Sequence, residues 1–182
     1  MIFKHNTYLK GMYVYTDGAC SNNGHKDAIA GIGIYFGPQD SRNISQRIDG
    51  KQTSNTAELG AILHLYTIVE EDILSGKKIV IVTDSIYAIR CATTYGKKCE
   101  DTNWKKDIPN KDMVKKTYEL YSGTNVEFIH VMSHTSKKDV HSLGNKEADR
   151  LARSAMRGAP RTRHDNPFIA SRGDASSLTI GN

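Results

Sequence analysis

The run IVIVT, residues 79–83, lies between Lys77-Lys78 and Asp84-Ser85 and consists of five β-branched residues in succession. Branching at Cβ crowds a helix and suits a pleated surface, so this segment is a strand. It has no alternating polar position, so both of its faces need cover. A chain containing such a strand must place helices on the faces of a sheet. The flanking sequence supplies them, with helical patterning before the run and again after it.

Three more strands come first. MYVYTDGAC, from Met12, alternates and is expected to end near a turn at Asp17-Gly18. AGIGIYFG, residues 30–37, has glycines at 31, 33 and 37, but no helix opens behind them, so a closely packed strand fits better than a phosphate loop. SRNISQRIDG, residues 41–50, completes an antiparallel meander. In TSNTAELGAILHLYTIVEEDILSG the apolar stripe of Ala57, Ile62, Leu65, Ile68, Val69 and Ile73 marks a helix, with Ser54, Asn55 or Thr56 as N-cap and Gly76 as stop. The buried strand is followed by a helix from about Ser85 to Thr94 and a lysine-rich connection over residues 95–112. A helix in MVKKTYELYS, a strand in NVEFIHVMS, a loop and a helix in GNKEADRLARSAM follow. Residues 1–10 read as an extension, 11–157 as one domain, and 158–182 as a flexible basic tail.

This layout puts carboxylates from separate elements at one edge of the sheet. Asp17 ends the first strand, Glu58 falls in the first turn of the first helix, Asp84 ends the buried strand and Asp149 lies early in the last helix. Singly, each has an ordinary structural role, as turn former, helix-dipole partner, N-cap or solvated surface. Together they repel unless a cation neutralises them, and oxygen ligands without cysteine suit Mg²⁺ or Mn²⁺. A pair of such ions activates water and stabilises the leaving oxygen in phosphodiester hydrolysis.

The net charge of +5 favours a polyanionic partner, and lysines cluster at 97, 98, 105, 106, 111, 115, 116, 137 and 138. The three cysteines, Cys20, Cys91 and Cys99, form no C-x-x-C pair and fit neither a disulfide framework nor a zinc ribbon. No apolar stretch is long enough for a signal peptide or a membrane span, so an intracellular protein, cytoplasmic or nuclear, is expected. A zinc site from His130, His134 and His141 is disfavoured, because His130 belongs to an alternating strand and His141 to a loop surface.

YTDGACSNNG, TSNTAEL, VIVTDS and HVMSHTSKKDVHSLGNKEADRLA occur in this order and at fitting intervals. On these motifs the chain resembles the catalytic domain of type 1 ribonuclease H over about residues 11–157. The resemblance implies the ribonuclease H-like α/β fold, a five-stranded mixed sheet of three antiparallel strands then two parallel ones, flanked by α-helices. It implies Asp17, Glu58, Asp84 and Asp149 as ligands of two Mg²⁺ ions, and His134 as a residue assisting proton transfer or product departure. The implied reaction cuts the RNA strand of an RNA/DNA hybrid, leaving 3′-hydroxyl and 5′-phosphate ends, in a monomer with a place in DNA replication.

Substrate contacts follow from the same resemblance. Asn23, Ser54 and Asn55 match positions in the hybrid's minor groove, with Gln52 joining through its backbone or side chain. Lys51, Thr53 and Asn110 match a pocket for a DNA-strand phosphate. The sequence departs from the family at Ser133, where glycine usually precedes the histidine, at Ser54, where asparagine is common, and at Tyr95 and Cys99, where tryptophans line the DNA channel. Other readings are a transposase, integrase or resolvase on the same fold, which the substrate-contact set argues against, and a non-catalytic hybrid-binding module, which would have lost one of the acids.

Overall fold

A computed structural model describes residues 11–133 and 138–157. The expected extension at residues 1–10, the expected tail at 158–182, and His134 lie outside them. The elements, in chain order, are β1 (Met12–Ser21), β2 (Ile29–Tyr35), β3 (Ile44–Arg47), α1 (Ser54–Leu74), β4 (Ile79–Thr83), α2 (Ile86–Ala92), α3 (Thr94–Asp101), α4 (Lys111–Tyr121), β5 (Val126–His130) and α5 (Val140–Arg157).

The five strands form one sheet in the order β3-β2-β1-β4-β5. β1, β2 and β3 pair antiparallel, while β4 pairs parallel with β1 and with β5. This is the mixed sheet expected from the sequence. Every residue of β4 is buried, and alternation divides its side chains between two cores. Ile79 and Ile81 join Val14, Leu59, Ile62 and Leu65 in the larger core under α1. Val80 and Val82 join Tyr15 and Ala148 in the smaller core under α5.

Two glycines set the distance between the sheet and its helices. A Cβ on Gly18 would overlap the α1 backbone at Ala57 and Glu58, including Glu58 Cα at 2.8 Å. A Cβ on Gly33 would overlap the α5 backbone at Ala148 and Ala152, with Ala152 N at 2.6 Å. Gly33 pairs across the sheet with Asp17. The two helices therefore press against the sheet beside the same residue, one at Glu58 and one just before Asp149. The glycines of β2 do serve a close-packed strand.

Several local expectations are corrected. β1 continues to Ser21, so Asp17-Gly18 is strand and not a turn. α1 is capped by Thr53, whose hydroxyl accepts the Thr56 amide while Thr56 returns a bond to the Thr53 backbone. Glu58 is consequently the fifth residue of the helix, past the first turn in which it was expected. Part of the presumed connection is α3, stabilised at its surface by Lys97 with Asp101 and Glu100. α5 begins at Val140 because Asp139 Oδ1 accepts the amides of His141 and Ser142 at 3.1 and 3.0 Å. Asp149 is thus in the middle of α5. His141 is no loop surface: its ring packs 5.2 Å from that of Tyr13, and Nδ1 lies 3.4 Å from the Tyr15 hydroxyl.

Replacing Gly33 by alanine forces the α5 backbone off the sheet, and backbone cannot yield as a side-chain end can. We expect Gly33→Ala to lower unfolding free energy by about 2–4 kcal/mol in urea denaturation. An unchanged midpoint would show that α5 is not seated at this depth.

Candidate active site

The carboxylates come together because neighbouring residues perform the local structural duties. Ser85, not Asp84, caps α2, its hydroxyl accepting the Ala88 amide at 3.1 Å. Asp84 is left at the end of β4, and its backbone carbonyl meets His130 Nε2 at 3.2 Å. Thr53 caps α1, which leaves Glu58 without an end-of-helix role. Asp17 Oδ1 accepts the amide of Gly18 at 2.7 Å.

One oxygen from each of Asp17, Glu58 and Asp84 lies within 4.8 Å of the others. Asp149 is not within this set of three but lines the same cleft, of about 560 Å³, and its carboxylate reaches that of Asp17. Arg153, one turn further along α5, donates to Asp149 Oδ1 through Nε at 2.6 Å and also borders the cleft. The four acids named from the sequence are therefore gathered from β1, α1, β4 and α5 around one opening.

Electrostatics record the crowding. The Asp17 carboxyl is pushed up to about 8, first by burial, then by the charges of Asp84 and Asp149. Glu58 is raised well above the ordinary range by burial and by Asp17 and Asp84. A site of clustered hard oxygen donors, in which burial and mutual charge oppose the ionisation of Asp17 and Glu58, fits a divalent metal. No sulfur takes part: Cys91 and Cys99 are buried, and Cys20, beside the cleft, is a thiol whose ionisation burial opposes.

The remaining residues singled out from the sequence fall in three groups. At the cleft, Ser54 lines the wall, Asn23 Oδ1 accepts its amide at 3.3 Å, and Asn55 is exposed on the first turn of α1. Gln52 is tied to the backbone: Oε1 accepts the Ala30 amide at 2.7 Å, and Nε2 donates to the carbonyls of Ile48 and Gly50, each at 3.0 Å. Its side chain holds the strand edge and the loop before α1 together. Lys51 and Asn110 line a separate cavity of about 290 Å³, while the Thr53 hydroxyl is engaged in its cap. Cys99 and Tyr95, at the tryptophan positions, face the core of the α2–α4 region.

Arg153 was not singled out for the site. Its signal is present in the spacing Asp149–Arg153, which places opposite charges at i and i+4 on a helix.

Comparison with known proteins agrees with this architecture. The RNase H family model matches residues 9–157. Ribonuclease H1 of Rattus norvegicus is 36% identical over 152 residues, covering 81% of this chain and 51% of the relative. Ribonuclease H of Schizosaccharomyces pombe is 35% identical, covering 84% and 58%. Ribonuclease H of Clostridium botulinum is 29% identical, covering 81% and 97%. The chain thus spans about half the length of the mammalian relative it matches. Among solved structures, the PFV RNase H domain has a TM-score of 0.60 at 22% identity, covering 80% of this chain and 93% of that one. LC11-RNase H1 has a TM-score of 0.54 at 22% identity, covering 81% and 96%. No helix among the described residues is long and apolar enough to cross a membrane. The sheet order, the converging acids and the match over residues 9–157 establish that the chain belongs to the RNase H family.

Proposed function

We propose that this chain is an endoribonuclease that hydrolyses the RNA strand of RNA/DNA hybrids and leaves 3′-hydroxyl and 5′-phosphate ends. The observation that carries the reading is the convergence of Asp17, Glu58 and Asp84 within 4.8 Å, with Asp149 on the same cleft. Relatives named ribonuclease H and a foamy viral protease-reverse transcriptase solved with an RNA/DNA hybrid, of TM-score 0.62, support it. Residues 11–157 are the catalytic unit. It acts as a monomer inside the cell, on hybrids that arise in replication.

Asp17, Glu58, Asp84 and Asp149 would hold two Mg²⁺ ions, or Mn²⁺, which when bound supply an activated water and stabilise the departing oxygen of the phosphodiester. The chain's own residues then divide the work among them. The carboxylates fix the geometry of the site, and a bound cation would offset the crowding and burial that raise Asp17 and Glu58. Arg153 pairs with Asp149 and balances part of its charge. Ser54 and Asn55, at the start of α1, and Asn23, bonded to the Ser54 amide, meet the minor groove, where 2′-hydroxyls distinguish RNA from DNA. Lys51, with Thr53 and Asn110, grips a DNA-strand phosphate, so cutting is independent of sequence. Gln52 contributes by holding the backbone beneath them. His134 moves a proton or helps the product leave.

The decisive assay offers RNA/DNA hybrid, duplex RNA, duplex DNA and single-stranded RNA in parallel, with and without Mg²⁺. Cleavage confined to the hybrid and to the Mg²⁺ samples is expected; cutting of duplex DNA would replace this reading with a different nuclease. Asp17→Asn should abolish turnover, a loss of at least about 10³-fold in kcat, while hybrid binding persists.

The raised Asp17 pKa also predicts a pH dependence of the metal-free protein. Between the unfolded value of 3.8 and the folded value of about 8, the folded chain keeps a proton that the unfolded chain releases. Stability therefore falls as pH rises through that window and is lowest above it. In EDTA, Tm should drop from pH 5 to pH 8.5, with a shallower slope for Asp17→Asn. Mg²⁺ should raise the wild-type Tm at the upper end more than that of the variant. Parallel slopes for the two proteins would show that Asp17 is not charged at a cost.

A further inference from the structure

Asn110 occupies the N-cap position of α4 without capping it. Its carbonyl accepts the Val114 amide at 3.0 Å, as a cap residue's does, but its side chain makes no bond to the helix end. Its backbone is left-handed, with φ 57 and ψ 31. An N-cap asparagine is ordinarily extended, and its side-chain oxygen accepts an amide of the first turn. Here a left-handed conformation is adopted, which even asparagine takes at some cost, and the capping bond is forgone as well. Such an arrangement persists when the side chain is held for another purpose.

What holds it is Tyr87 of α2. Asn110 Nδ2 donates to the Tyr87 hydroxyl at 3.3 Å, joining two helices 23 positions apart. The Tyr87 ring packs against the main core, so the hydroxyl is presented from a fixed base. Burial keeps this phenol protonated, its pKa pushed up to about 12, and the Cys91 thiol one turn along interacts with the same hydroxyl. Asn110 itself lines the cavity that contains Lys51. Its Oδ1 and its second amide proton have no partner among the described residues.

We propose that Tyr87 is a positioning residue for substrate: its hydroxyl anchors one side of the Asn110 amide, so that the remaining N–H is offered, beside Lys51, to a phosphate of the DNA strand. This rests on the hybrid-cleavage reading and adds to it a residue that touches no substrate. A phosphate donor that is already oriented loses less side-chain entropy when the ligand arrives. Asn110 lines a cavity separate from the cleft of the acids, so the anchored contact acts on substrate affinity and not on the chemical step.

Tyr87→Phe keeps the ring and removes the hydroxyl that anchors Asn110. Steady-state cleavage of a hybrid by Tyr87→Phe, Asn110→Ala and the double variant tests the proposal. KM should rise about threefold to tenfold in Tyr87→Phe, with kcat within about twofold of the wild type. The double variant should be no worse than Asn110→Ala alone, because the anchor has nothing left to hold. In the substrate-free protein, the side-chain amide resonances of Asn110 should shift and exchange faster in Tyr87→Phe while Tm stays unchanged, which a purely packing role would not produce. If Asn110→Ala weakens binding but Tyr87→Phe does not, or the two effects add, the positioning role is overturned. If Asn110→Ala leaves KM unchanged while hybrid is still cleaved, Asn110 is not a phosphate contact and the inference falls with the function reading intact. Absence of hybrid cleavage by the wild type would overturn that reading, and the inference that rests on it.

Discussion

Carboxylates as close as those of Asp17, Glu58 and Asp84 repel one another, and the fold is arranged to hold them there. Their elements lie in different layers. β1 and β4 are neighbouring strands, α1 covers one face of the sheet, and α5, with Asp149, covers the other. Gly18 lets the α1 backbone approach β1 at Glu58, and Gly33, paired across from Asp17, lets α5 approach at Ala148. The apolar cores on both faces supply the favourable free energy against which this local repulsion is tolerated. A binding site that is costly when empty becomes stabilising when a cation fills it, by simple linkage.

The division of labour among neighbouring residues is consistent around the cleft. Thr53 caps α1, the helix that carries Glu58, Ser85 caps α2, which follows Asp84, and Asp139 caps α5 ten residues before Asp149. In each case an ordinary structural role for the acid is already filled by another residue. The acids are therefore free of helix-capping bonds. Asp17 accepts the adjacent Gly18 amide, and Asp149 pairs with Arg153 at the border of the cleft.

Much of this was legible in the chain itself. Period-two alternation in Met12–Tyr15 and the unbroken IVIVT run mark β1 and β4, and Asp84 follows from where β4 stops, whereas Asp17 sits inside a strand that runs on to Ser21. α3 was not legible, because only Gly96 and Cys99 are buried in it and its surface is a Lys–Glu–Asp ladder that resembles a polar connection. The start of α5 could have been read from Asp139 and Ser142 as cap and first turn, but the apolar stripe begins later and drew the boundary to Gly144. Gln52 illustrates a different limit. Its three backbone bonds span residues 30, 48 and 50, and a side chain committed to such distant partners looks identical in sequence to one waiting for a ligand.

Arg47 of β3 donates to the carbonyls of Ala155 and Met156, at 3.2 and 2.6 Å, and lines the cavity shared by Lys51 and Asn110. The terminal turn of α5 is thereby clamped to the sheet edge instead of fraying, as helix ends commonly do. Whatever is attached beyond Arg157 departs from a stationary origin next to Met156, which lines the cleft of the acids. A module fused at this point would be tethered within a small search volume of that cleft, at an effective concentration set by the length and stiffness of its linker.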